Sequence, residues 1–314
     1  MKDSKQIFRI VLINFIVFLC FLVLLEIGLW IKGAMNEGTF LEVLPRLRYK
    51  TKMVPFEKVY EQYKKNTLKK TYGENNKKPP IVLFGCSFAY GSGLEDNKTF
   101  AYKLAQKTKR PVYNRAFPGG SPSNMLYQLR RDDFYKEVKE PEYIVYLYYT
   151  MQFPRMYKMV FWEPSNDLTV RYQKNKNGGL DEIKTDYFYN KLWFLHTVRF
   201  FQEYLFETKI YALNRQKVNE LLRLHFEESR KAALKHWPNS KFVILLYRDG
   251  ADIPFFDQEL FKTLQKEGFT VIDLNELTGV NLENLEYKLS ESDHHPNEKA
   301  WDLVVPALSK KMNF

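Results

Sequence analysis

A three-layer α/β/α sandwich around a parallel five-stranded sheet, preceded by one transmembrane helix, is the fold class this sequence predicts. Two observations lead there. From Pro79 onward, short apolar runs alternate with stretches of helical spacing, the pattern of a parallel sheet covered on both faces. Before that, Ile10 to Ile31 reads IVLINFIVFLCFLVLLEIGLWI, 22 residues broken only by Asn14 and Glu26. A soluble helix is seldom apolar on every face, and at about 1.5 Å per residue this run spans roughly 33 Å, enough for a bilayer core.

In chain order, residues 1–9 form a short basic tail and residues 10–31 the anchor. The run is longer than the apolar region of a cleaved signal peptide, and no small-residue cleavage site follows it. Trp30 and Lys32 suit an interfacial end. Residues 32–78 form a basic juxtamembrane connector. Between Arg46 and Lys78 there are 11 basic residues against three acidic ones, a charge that suits a solvated linker or, alternatively, attraction to anionic lipid headgroups. Pro79-Pro80 open the main domain, residues 79–314. Ile81–Gly85 reads as a buried strand, Thr99–Thr108 as a helix, Pro111–Asn114 as a second strand and Ser123–Tyr135 as a helix with Pro122 near its start. Tyr143–Tyr149, Lys241–Tyr247 and Phe269–Leu274 are further strands. Pro296–Met312 closes the chain as a helix with Pro in its first turn. An insertion at about residues 156–237 carries Asn-Gly and Gly-Gly turn signals, then a helical stretch, and is long enough to wall or cover a site.

Composition narrows the function. The chain has 314 residues, 45% hydrophobic and 16% aromatic, with a net charge of +11. A core of that size excludes global disorder. Two cysteines, Cys20 and Cys86, exclude a disulfide scaffold and a cysteine zinc site. The basic excess sits mostly in the connector and on no recognisable nucleic-acid module, so no nucleic-acid partner is expected.

Two segments carry chemistry. Phe84-Gly85-Cys86-Ser87-Phe88-Ala89-Tyr90-Gly91-Ser92-Gly93 follows the first strand, where an open α/β sheet places its ligands. A serine between glycines that let the chain turn sharply is a candidate nucleophile. Asp293-His294-His295-Pro296-Asn297 precedes the last helix. A serine hydroxyl needs a base to take its proton, and a histidine oriented by a carboxylate is such a base.

At these segments the chain resembles the SGNH, or GDSL-like, hydrolase family of serine esterases, in its membrane-anchored bacterial form. GCSFAYGSG resembles the first family block, with Cys86 where Asp is usual and Ser87 at the nucleophile position. Asn114-Arg115-Ala116-Phe117-Pro118-Gly119 resembles the second, whose glycine N–H helps bind the oxyanion; Gly119 takes that place, with Gly120 as the alternative. Asp293 and His295 resemble the last block, with one residue between them where the family has two; His294 with Glu291 is the alternative pairing. The third block departs: where the family has Asn, this chain runs Thr150-Met151-Gln152-Phe153-Pro154-Arg155. Gln152 has an amide to substitute, and Thr150 a hydroxyl.

The resemblance implies a Ser87–His295–Asp293 triad and an oxyanion hole from the Ser87 and Gly119 backbone N–H groups with Gln152. It implies no metal and no cofactor. The expected activity is hydrolysis or transfer of small acyl groups, such as O-acetyl, on cell-envelope glycans, with the domain on the extracytoplasmic side. A lipase or lysophospholipase, and a non-catalytic assembly or binding subunit, are the alternatives.

Overall fold

The computed structural model describes residues 12–25, 27–28, 71–74, 77–116, 118–131, 134–150, 152, 170, 172–182, 211–248 and 258–314. The chain divides into two compact units. The first takes in residues 1–53, 159–165 and 185–213. Within it, residues 12–25 and 27–28 are helical, with Phe15, Val17, Phe21 and Leu24 exposed. Among the described residues no helix is long and apolar enough to cross a membrane. Residues 10, 11, 26 and 29–31 of the expected anchor lie outside the described residues.

The second unit takes in residues 54–158, 166–184 and 214–314, and its centre is a six-stranded sheet. The strands are β1 (Thr71–Tyr72), β2 (Ile81–Gly85), β3 (Val112–Asn114), β4 (Tyr143–Tyr149), β7 (Lys241–Tyr247) and β8 (Thr270–Asp273). Their order is β1-β3-β2-β4-β7-β8. The five strands from β3 to β8 pair in parallel. The sixth corrects the expected five. β1 pairs antiparallel to β3, Thr71 opposite Tyr113 and Tyr72 opposite Val112. Two residues inside a lysine-rich stretch are too short to show a period-two pattern, and Tyr72 earns its place through an edge contact with Tyr102, ring centroids 5.8 Å apart.

Every residue of β2 and β4 is buried, as a sheet packed on both faces requires. Leu83, Val145, Leu147, Leu245 and Tyr247 face a core closed by Phe100 and Leu104 of α2 (Phe100–Thr108) and by Trp301, Val304 and Leu308 of α8 (Glu298–Met312). Tyr146 and Tyr148 face the other layer. Both meet Phe226 of α5 (Tyr211–His236), at 5.6 and 6.0 Å between ring centroids, and Tyr148 also meets Phe261 of α6 (Gln258–Lys266), at 5.5 Å. Each such buried side chain contributes about 1.5–3 kcal/mol.

Other boundaries move for local reasons. The helix expected over Ser123–Tyr135 is two, α3 (Pro122–Leu129) and α4 (Phe134–Glu137). After Leu129, the Arg130 guanidinium turns to the Leu180 carbonyl and Glu228. The last helix begins at Glu298 rather than Pro296, because the Asn297 side chain accepts the Ala300 N–H at 3.2 Å and caps it. The turn signals in the insertion form a hairpin of β5 (Tyr172–Lys174) and β6 (Leu180–Glu182). Its Tyr172 and Leu180 pack with Leu126, Tyr127 and Leu224, so this part lies against α3 and α5. The rest of the segment expected to cover the site, residues 156–169, 171 and 183–210, lies outside the described residues.

Candidate active site

The site is built where β2 and β3 end. Gly85 leaves β2 with φ of 154°, and a Cβ there would lie 2.7 Å from the Ala89 Cβ and 3.0 Å from the Leu147 carbonyl oxygen. Only glycine fits so close to the next strand. Cys86 is fully buried in the core. Ser87 then opens the short helix α1 (Ser87–Tyr90) and keeps 8% of its surface exposed. Phe88 turns inward, stacked on Tyr149 at 4.0 Å and edge-on to Tyr247 at 5.2 Å.

The same Phe88 ring touches His295, with centroids 5.1 Å apart. Thus two segments some two hundred positions apart meet on one aromatic side chain. A second contact supports the meeting: Leu289 packs so tightly on Gly93 that a Cβ there would lie 2.4 Å from the Leu289 Cδ1. Leu289 donates its N–H to the His295 carbonyl at 2.9 Å, and Lys288 bridges to Pro296. Asn297 closes the loop, its Nδ2 donating to the Glu286 and Lys288 carbonyls, both at 2.8 Å. A pair formed by Lys288 and Glu283, 2.8 Å apart, anchors the same stretch.

Asp293 Oδ1 accepts two hydrogen bonds from His295, one from its backbone N–H at 3.1 Å and one from ring Nδ1 at 2.5 Å. This is an Asx-type turn, and it explains why one intervening residue suffices. Burial would raise the Asp293 carboxyl, but the hydrogen bonds and charge of His295, with that of His294, hold it below its ordinary value. Nδ1 is the donor in this pair, so Nε2 is left to accept a proton. Nε2 is buried without a hydrogen-bond partner among the described residues. His294 instead is exposed and faces Lys288, 3.4 Å away.

On the neighbouring strand end, Asn114 is buried and ties the two loops together. Its Nδ2 donates to the Ala89 carbonyl of α1 at 3.1 Å, while its Oδ1 accepts the Ala116 N–H at 3.1 Å. Gly119 follows in the loop to α3 with φ of 75°. Gln152 behaves differently from expectation. It is fully buried, its Oε1 accepts the Tyr146 hydroxyl at 2.6 Å, and its Nε2 donates to the Leu147 carbonyl at 3.1 Å. Its amide braces β4 from within, on the side chain layer of Tyr146.

The structure also reveals a serine–histidine pair that sequence order hid. Ser123 of α3 and His225 of α5 are both fully buried, with Ser123 Oγ 3.0 Å from His225 Nε2 and His225 Nδ1 2.7 Å from the Leu221 carbonyl. The carbonyl can only accept, so Nδ1 carries the proton and Nε2 accepts from the serine. Burial pushes the His225 pKa down to about 4. Without solvent access this pair braces the helix that follows Gly119. Among the described residues no group of acidic, His or Cys side chains could hold a metal ion.

No protein-family model matches the sequence, and no curated protein matches it. Among solved structures, the chain is similar to a member of the lipolytic protein G-D-S-L family from Veillonella parvula DSM 2008, at 12% identity over 75% of this chain and 99% of that one, with a TM-score of 0.43. It is similar to an acetyl xylan esterase from the rumen bacterium Butyrivibrio proteoclasticus, at 11% identity over 75% of this chain and 65% of that one, with a TM-score of 0.43. It is also similar to a lipase from a goat rumen metagenome, at 11% identity over 74% and 97%, with a TM-score of 0.41.

Proposed function

We propose that this chain is a membrane-anchored serine esterase of the SGNH kind, acting on small acyl esters. The observation that carries the proposal is the Asp293–His295 pair seated on Phe88, the residue next to Ser87. In this reading Ser87 Oγ attacks the ester carbonyl carbon while His295 Nε2 takes its proton. Asp293 keeps Nδ1 protonated and stabilises the imidazolium that results. The carbonyl oxygen becomes an oxyanion, held by the backbone N–H groups of Ser87 and Gly119. The alcohol leaves with the proton from His295, and water or an acceptor alcohol then releases the acyl group by the same route.

The limited exposure of Ser87 favours a small acyl group such as acetyl over a long chain. The apolar run over residues 10–31 supports a membrane anchor, and a glycan carrier in the cell envelope with an extracytoplasmic domain is part of the same proposal. The test uses the full chain in detergent with p-nitrophenyl acetate and a fluorophosphonate probe. Turnover and labelling are expected, both lost in Ser87→Ala. Labelling that survives this substitution overturns the nucleophile, and absence of both in the wild type favours a binding subunit. Faster turnover of long-chain esters than of acetate would move the substrate to lipids.

A further inference from the structure

An oxyanion hole can combine backbone N–H groups with a side-chain donor, and Gln152 has its amide oxygen and one N–H engaged elsewhere. Two residues before it, Thr150 stands directly after β4. Its side chain is 1% exposed, and its Oγ1 is buried with no hydrogen-bond partner among the described residues. Most buried hydroxyls have a hydrogen-bond partner, and one without calls for an explanation.

The place of this hydroxyl supplies one. β2 and β4 run parallel, with Gly85 opposite Leu147. Beyond Gly85, Phe88, the residue after Ser87, stacks on Tyr149, the last residue of β4, at 4.0 Å. Thr150 is the next residue, at the same carboxyl edge of the sheet. We propose that the Thr150 hydroxyl, rather than the Gln152 amide, is the side-chain donor to the oxyanion. This rests on the reading of Ser87 as nucleophile.

The step balances without any further reactant. The Ser87 oxygen bonds to the carbonyl carbon, the C=O π pair moves onto the carbonyl oxygen, and the serine proton goes to His295 Nε2. Thr150 donates a hydrogen bond to the new oxyanion and keeps its own proton. When the intermediate collapses, the electron pair returns and the alcohol departs with the proton from His295.

The test compares Thr150→Val, which keeps the shape and removes the donor, with Thr150→Ser, which keeps the donor. Both are measured as full chain in detergent for kcat and KM on p-nitrophenyl acetate, for fluorophosphonate labelling of Ser87, and for thermal midpoint. The valine variant is expected to lose about 10²–10³ in kcat with little change in KM and no fall in thermal midpoint. The serine variant is expected to stay within about tenfold of wild type. A valine variant that keeps kcat within about threefold, or a serine variant that loses as much as valine, overturns the assignment and leaves the esterase reading standing. A wild-type chain that neither turns over nor labels overturns both.

Discussion

Asp293 and His295 are joined twice through a single carboxylate oxygen, which accepts the backbone N–H and the ring Nδ1 of the histidine. Orientation and tautomer are therefore set by one local turn, before any contact with the rest of the domain.

Asp293→Asn puts this to the test. An amide can offer Nδ1 a hydrogen donor where an acceptor is needed, favouring the wrong tautomer. The loss expected in kcat is about 10²–10⁴, with the thermal midpoint moved by only a few degrees, since the side chain is 45% exposed. Steady-state kinetics on p-nitrophenyl acetate, alongside thermal melts, would show it; equal losses of activity and stability would mean that Asp293 serves only the loop.

His225 makes stability fall in acid. Its folded-state pKa is lowered to about 4 from an unfolded value of 6.5, so the unfolded chain takes up the proton first. Above pH 6.5 both states are neutral and there is no penalty. Between 6.5 and 4 the penalty grows, and below 4 it reaches its full size of about 3 kcal/mol. Urea unfolding across this range should show the decline, and His225→Gln, which does not titrate, should flatten much of it. An unchanged slope in that variant would assign the acid sensitivity elsewhere.

Gly85→Ala should destabilise the domain by about 1–3 kcal/mol. The added Cβ meets the Leu147 carbonyl oxygen, which is backbone and cannot swing away. A chain that melts at the wild-type temperature would show that α1 shifts freely, and with it Ser87.

Gln152→Ala should cost stability. It removes the acceptor of the Tyr146 hydroxyl and a donor to the Leu147 carbonyl inside the core, a loss of about 1–3 kcal/mol. In chains still folded at the assay temperature, kcat should fall far less than in Thr150→Val. A selective kcat loss without a lower thermal midpoint would restore Gln152 to the oxyanion hole.

How much could be read without the fold follows from the range of each signal. β4 begins and ends where its apolar run does, and β7 starts one residue before its own, at Lys241, because a strand buried on both faces must be apolar at nearly every position. α2 starts after Thr99, whose hydroxyl accepts the Tyr102 N–H, a cap written in adjacent residues. β1 escaped, since a two-residue edge strand exists only through its partner β3. The start of α8 was misplaced at Pro296, because proline in a first turn and asparagine as a cap are both good local signals, and only the contacts of Asn297 with residues 286–288 choose between them.

Residue type and chain order alone marked Ser87, Asp293 and His295 as reactive groups, for their chemistry is intrinsic to the side chains and Asp293 lies within one turn of its histidine. They did not tell which of Thr150 and Gln152 has its hydrogen bonds filled, nor that Ser123 and His225 meet, nor that Asn114 reaches back to Ala89. Satisfaction of a buried polar group depends on neighbours from distant parts of the chain, and those neighbours are assigned by packing against the sheet rather than by spacing along it.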